Sequence, residues 1–345
     1  MEFKKYVQFA DFRGVAVDFS GIIGQKDVVD ALKASLINNR VGHAYIFSGP
    51  CGIGKKTAAH IFSSILMCNE GKADESCGKC KSCLLFENGS NPDYCVLEVE
   101  DSSIGVEDIR KLQHDISVRP LYSKKKVYLI PEAGKMTVQA QNCLLKTLEE
   151  PPEYGVIILV TSNYDALLET IRSRSVRYDL KRNTFDEVKG FLTDKFGIEY
   201  GEAGFVSSYA NGVIGRAIEL LESEDLKKAR DRVIDALAKL NRAQRDAVNE
   251  INALFEESKD DAESILDIML LFYRDLLVAR KYGNENILIN SDKKDIILEN
   301  AQGFSAGKLL NNIAVIEDTR KVIKKNANFQ LAIEVMLMKL QEENG

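Results

Sequence analysis

The stretch Ser48-Gly-Pro-Cys-Gly-Ile-Gly-Lys-Lys-Thr57 decides how this chain is read. Gly49, Gly54 and Lys55 fit the phosphate-loop pattern G-x-x-x-x-G-K-[ST], and Gly52 adds a third glycine to the loop. The next position needs a hydroxyl to hold Mg²⁺, and it carries Lys56. Moving the register so that Thr57 supplies the hydroxyl puts Pro50 and Lys55 where glycines belong. The backbone N–H groups of such a loop and of the following helix surround phosphate oxygens, and Lys55 is expected to reach the terminal phosphates. Lys56 removes a metal ligand and adds a positive charge beside it. The loop therefore predicts phosphate binding with poor metal binding, an ATPase-like fold without hydrolysis. A plain strand–turn–helix corner is the bland alternative.

The flanks suit a phosphate loop. The apolar run His43-Ala-Tyr-Ile-Phe-Ser48 predicts a strand, and Thr57–Leu66 predicts the helix after it. Two further apolar runs, Lys126–Ile130 and Gly155–Thr161, alternate with helical stretches at 140–149 and 165–173, and Val28–Asn39 reads as a helix before them. Continuous apolar strands between helices predict a parallel sheet covered on both faces. After about Arg182 the strands stop. Helices are expected over 185–196, 200–209, 215–223, 226–254, 261–282, 308–323 and 327–342. The fold class is thus α/β plus all-α, with breaks near 180 and 225–245. Residues 1–18 show no period and read as a loosely held arm.

An ATPase also needs acids at the end of a buried strand. Lys126–Ile130 is followed by Pro131-Glu132, where Asp-Glu would place a metal ligand beside a water-polarising group. Glu132 is kept, and Pro131 has no side-chain oxygen. This is a second loss of a metal ligand, independent of Lys56.

Seven cysteines in a chain without an export signal point to metal ligation rather than disulfides. Cys68, Cys77, Cys80 and Cys83 have the spacing of a closed tetrahedral Zn²⁺ site, structural rather than catalytic. An iron–sulfur cluster lacks its expected C-x₃-C-P continuation, since Leu84 follows Cys83. Unligated thiols are the remaining alternative. Cys51, Cys95 and Cys143 stand apart and read as buried small hydrophobes, with Cys51 open to oxidation. The net charge of −6 argues against a globally basic nucleic-acid binder. There is no apolar run long enough to span a bilayer and no secretory h-region, so no membrane association and a cytoplasmic location are expected.

Together these pieces resemble the bacterial clamp-loader family, AAA+ subunits of the DNA polymerase III holoenzyme. The likeness runs through Ile23-Gly-Gln25, the phosphate loop, the four cysteines and Asn91-Pro-Asp93. It continues in Ile104–Arg110, Asn142–Pro152, Thr170-Ile-Arg-Ser-Arg174 and Gly212–Ala217, covering roughly residues 20–220, and is weaker at Phe272–Leu277 and Asn326–Leu331. Within the family the degraded nucleotide site and the chain length resemble the delta-prime branch. The resemblance implies an AAA+ P-loop domain over 1–180 with an embedded zinc module at 68–83, a helical lid over 181–225 and a helical collar domain over 226–345. It implies that Arg174, in a Ser-Arg-Ser variant of the family's Ser-Arg-Cys motif, is an arginine finger acting in trans. Without the resemblance, Arg174 reads as an ordinary surface charge. Arg216 matches the sensor-2 position, and Thr161 with Asn163 lie near sensor 1. Implied partners are delta and tau/gamma subunits, with the sliding clamp and primed DNA reached through the complex. ATP or ADP binding without turnover stays open. The alternatives are an active tau/gamma-type ATPase and a zinc-containing nucleic-acid-binding regulator with a relic P-loop.

Overall fold

The structure is a computed structural model. It describes residues 17–341 apart from 73, 98–102, 199, 223, 243–245, 258–261, 283–287 and 325–327. The arm expected over residues 1–18 lies outside these up to residue 16. The described chain forms two compact units. One holds the residues up to Glu187 with Gly212–Gly215, and the other holds Val188–Asn211 and the residues from Arg216 onward.

The first unit is built from α1 (Lys26–Ile37), β1 (Ala44–Ser48), α2 (Lys55–Met67), α3 (Lys81–Glu87), β2 (Tyr94–Val96) and α4 (Val106–Ile116). It continues with β3 (Lys126–Ile130), α5 (Val138–Glu149), β4 (Gly155–Thr161), α6 (Glu169–Arg172) and β5 (Val176–Asp179). The five strands form one parallel sheet in the order β2-β3-β4-β1-β5. β1, β3 and β4 are buried along their whole length, the physical reason they read as unbroken apolar runs. Alternate residues of β4 still divide between the faces. Val156, Ile158 and Val160 join a core with Phe47, Phe62 and Leu129. Ile157 and Leu159 join another with Ile46, Ile130 and Leu144. Register sets Ser48 beside Thr161, so the carboxyl ends of β1 and β4 finish together. Ligands of open α/β sheets gather outside such ends.

Asp93 fixes the approach to β3. Its buried carboxylate accepts the N–H groups of Leu121, Tyr122 and Ser123 at 2.7, 2.7 and 2.9 Å. Removing a buried acceptor of this kind costs about 1–3 kcal/mol.

β3, β4 and the helix α7 (Phe185–Phe196) match the residues expected from sequence. β2 and β5 were not anticipated. β2 has three residues, and β5 lies at the sheet edge with no fully buried position, so neither carries an apolar signature. The helix expected over 165–173 is a 3₁₀ turn at Tyr164–Ala166 and then α6, because Leu167 and Leu168 between them are extended.

The second unit is helical. It holds most of α7, then α8 (Tyr200–Ala210), most of α9 (Ile214–Glu222), α10 (Glu224–Asn241), α11 (Ala247–Glu257), α12 (Ala262–Tyr282), α13 (Lys294–Gln302), α14 (Ala306–Lys324) and α15 (Phe329–Gln341). The helix expected over 226–254 is two helices, α10 and α11. α12 is the central helix and packs against α10, α13 and α14. The nearly buried Arg230 guanidinium lies 3.9 Å from the Phe205 ring centroid and donates to Asn290 Oδ1 at 3.1 and 3.2 Å. It also donates to Asp292 Oδ2 at 2.9 Å. Among the described residues no helix is long and apolar enough to cross a membrane.

His60 on α2 gives the fold a pH dependence. Its ring centroid lies 4.5 Å from that of Phe86 and 5.6 Å from that of Tyr94. Burial pushes its pKa from 6.5 down to about 4. Between those values the unfolded chain binds the proton and the folded chain does not, so stability falls as pH drops through that window and is unaffected by His60 above it. The full effect is about 3 kcal/mol. Urea unfolding midpoints of the full chain between pH 7 and 4 are expected to fall less steeply in His60→Phe than in the wild type. An identical slope in both would exclude this role.

Candidate functional site

The loop after β1 takes a conformation that only its glycines allow. Gly49, Gly52 and Gly54 have φ of 147°, 75° and 98°, in the region where a Cβ is strained. A Cβ on Gly49 would lie 2.4 Å from the Leu180 carbonyl oxygen, so glycine is also needed for space. At Gly54 a Cβ would meet no atom within 4 Å, so open space lies over the start of α2. The Gly215 N–H donates to the Gly52 carbonyl at 2.9 Å and holds the loop from the other side.

That space is a cavity of about 620 Å³. Gly52, Gly54, Lys55, Lys56 and Thr57 line it from the loop and α2, and Pro131 and Glu132 line it from the end of β3. Thr161 and Asn163 close it from the end of β4. The Thr161 hydroxyl donates to the Asn163 carbonyl at 2.8 Å and accepts the Asn163 N–H at 3.0 Å, which fixes this turn. The residues expected at the phosphate loop, the acidic strand end and the strand end of β4 thus share one cavity.

Lys55 is nearly buried and its ammonium turns back into the loop, donating to the carbonyls of Gly49 and Pro50 at 2.7 and 2.6 Å. Burial holds its pKa below the ordinary lysine value, and the Lys56 charge adds to this while Cys51 opposes it. Lys56 is exposed. Glu132 pairs with Lys135 at 2.6 Å. That hydrogen bond, then the charges of Lys135 and Lys56, hold its carboxyl below the ordinary range against a smaller effect of burial. Lys135 was not foreseen, although its i,i+3 spacing from Glu132 is a readable signal. Cys51 is exposed at the loop tip, which corrects the expectation that it is a buried hydrophobe. Cys95 is buried, and Cys143 is half-buried with its Sγ 3.4 Å from Gln113 Oε1.

Arg174 lies elsewhere on the same unit, just after α6. Its guanidinium pairs with Glu149 at 2.9 Å and donates to the Thr170 carbonyl at 3.1 Å. Its neighbour Arg172 pairs with Asp165 at 3.0 Å. Arg172 and Arg177 both approach the Tyr164 ring, at 5.1 and 3.6 Å from its centroid. Glu149 had no sequence signal, because it belongs to a different helix. Arg216 belongs to the second unit, where it pairs with Asp267 at 3.0 Å, and Asp267 also pairs with Arg320.

The four cysteines meet. The Sγ atoms of Cys68, Cys77, Cys80 and Cys83 all lie within 4.8 Å of one another. Cys77–Cys83 and Cys80–Cys83 are 3.9 and 3.5 Å apart. A tetrahedral metal with Zn–S near 2.3 Å requires sulfurs about 3.8 Å apart, so the group fits a thiolate-bound ion. The N–H groups of Gly71 and Cys77 point at Cys68 Sγ, at 3.0 and 3.3 Å, as donors to a thiolate would. A Cβ on Gly71 would lie 2.9 Å from that sulfur and 2.3 Å from the Glu75 carbonyl oxygen.

A family model described as "DNA polymerase III, delta subunit" matches residues 24–184. A second, "DNA polymerase III, delta subunit, C terminal", matches residues 224–342. The DNA polymerase III subunit delta' of Bacillus subtilis (strain 168) is 31% identical over 321 residues, which cover 92% of this chain and 96% of that one. The tau subunit of the same organism is 31% identical over 346 residues, covering 93% of this chain, and the chain spans only 61% of that relative's length. A solved gamma subunit-related protein of Thermotoga maritima is 20% identical with a TM-score of 0.44, covering 90% of this chain and 98% of that one. The relatives include both delta' and tau, so they show the family and not the branch. The chain belongs to the clamp-loader subunit family of bacterial DNA polymerase III.

Proposed function

We propose that this chain is a delta-prime-type clamp-loader subunit that does not hydrolyse ATP. On this reading it donates Arg174 to the nucleotide site of a neighbouring motor subunit. The observation that carries the reading is asymmetric damage. Lys56 and Pro131 both face one cavity and both remove metal ligands from it, while Arg174 on the same unit keeps a charged, partly exposed guanidinium. Its planar, always-charged group suits the charge developing on a transferring phosphoryl group. Delta and tau/gamma subunits are the partners on this reading, and the sliding clamp and primed DNA are reached through the assembly. The division into a P-loop domain over 1–180, a lid over 181–225 and a collar over 226–345 goes with it, as do the sensor-2 role of Arg216 and a cytoplasmic location. The four cysteines would hold a structural Zn²⁺ that braces the turns at 68–83.

The purified chain is expected to release phosphate from Mg²⁺-ATP no faster than a buffer control; turnover at a motor-subunit rate would favour the tau/gamma-type alternative instead. In a reconstituted loader, Arg174→Ala is expected to lower kcat at the site it faces by on the order of 10³, and unchanged turnover would remove the finger role. Metal analysis of the full chain is expected to give about one zinc per chain, lost in Cys80→Ser together with amide-exchange protection over 68–83. Metal-free protein with full protection there would leave the cysteines as plain thiols.

A further inference from the structure

A phosphate loop of this type implies Mg²⁺, and the residues here do not fit that ion. Lys56 stands in the hydroxyl's place, Pro131 stands in the acid's place, and Glu132 is paired with Lys135. Among the described residues lining the cavity, Glu132 is the single carboxylate, against the ammonium groups of Lys55, Lys56 and Lys135. A dication placed there would meet two lysines that the lone carboxylate does not neutralise. A phosphate chain meets the opposite situation. The loop glycines keep their left-handed conformations, and the space over Gly54 is open.

We propose that this cavity is a metal-independent anion site. It takes the di- or triphosphate of a nucleotide as the free anion, with the Lys56 ammonium supplying the charge that Mg²⁺ supplies in a motor subunit. The inference deepens the reading of this loop as a degenerate nucleotide site and rests on it. Lys55 is satisfied by the carbonyls of Gly49 and Pro50, so exposed Lys56 is the ammonium at hand for an incoming phosphate. An ammonium donates hydrogen bonds directly to phosphate oxygens and needs no coordination shell, so the losses of hydroxyl and acid do not impair it. The same substitution denies turnover its metal and leaves binding intact.

The test is binding to the full chain, read by fluorescence of an N-methylanthraniloyl-labelled ADP and by calorimetry with ATP, ADP and tripolyphosphate. Each is measured once with EDTA and once with Mg²⁺. Binding in EDTA at least as tight as with Mg²⁺ is the expected result. Lys56→Thr, which restores the hydroxyl, is expected to weaken binding in EDTA about tenfold, the loss of one charge-assisted contact. Lys56→Arg keeps the charge and is expected to keep the affinity, which separates a charge effect from misfolding. Nucleotide binding tighter than tripolyphosphate assigns a nucleotide as the ligand, and the reverse order overturns that assignment. No binding in EDTA, binding that needs Mg²⁺, or indifference to Lys56→Thr overturns the inference. Metal-dependent binding without phosphate release overturns it alone, whereas phosphate release from Mg²⁺-ATP overturns the non-hydrolysing reading.

Discussion

The contact between Gly49 and Leu180 governs the first unit. The Leu180 N–H donates to the Ser48 carbonyl at 2.8 Å as the chain leaves β5. Gly49, the residue after β1, must then turn away, because a Cβ there would lie 2.4 Å from the Leu180 carbonyl oxygen. Only glycine passes that point, at a φ of 147°. From there the loop wraps over the sheet's carboxyl edge, Lys55 closes back onto its carbonyls, and α2 begins. The loop set by this turn borders the cavity together with the strand ends at Pro131 and Thr161. A side chain at Gly49 would move the whole rim rather than one contact.

Much of this was legible in the sequence, for identifiable reasons. β3 and β4 are buried on both faces, so their composition is unbroken and their limits could be read to the residue. The cysteine site was legible because ligand spacing is short-range: Cys77, Cys80 and Cys83 lie within one turn and the start of α3, and Cys68 lies just after α2. Elements that rest on tertiary contacts gave no such signal. β5 is a partly exposed edge strand held by its pairing with β1, and the break between α10 and α11 lies in a stretch that stays amphipathic throughout. Side-chain pairs between distant elements, Arg174 with Glu149 or Arg216 with Asp267, have no spacing to read at all.

The two arginines inherited from the family resemblance stand in different electrostatic settings. Arg174 shares a partly exposed ion pair with Glu149, both side chains open to water. Such pairs contribute about 0–1 kcal/mol, so the guanidinium is held in place without being committed. Arg216 is placed more firmly. Asp267 is only 15% exposed and receives both Arg216 and Arg320. Arg216 thus sits in a shared, partly desolvated pairing rather than an open surface pair. Of the two, Arg174 is the side chain that an anion could draw away from its pair at little cost.

The site lacks its expected metal ligands at Lys56 and Pro131 and still keeps its loop. Glycines at φ of 75° and 98° cost more conformational entropy on folding than other residues would, and a simple strand-to-helix corner has no need of them. The position over Gly54 is empty rather than packed, so tight packing does not explain the glycine there. What distinguishes this loop from a corner is its open cradle with the exposed Lys56 ammonium at the rim. What distinguishes it from a hydrolytic site is the missing hydroxyl and acid. Those two differences act on separate steps, since charge and backbone geometry hold a phosphate whereas metal coordination and an acid break it. A chain can lose the second pair and keep the first: Lys56 and Pro131 remove the hydroxyl and the acid, while the loop glycines and the Lys56 charge stay.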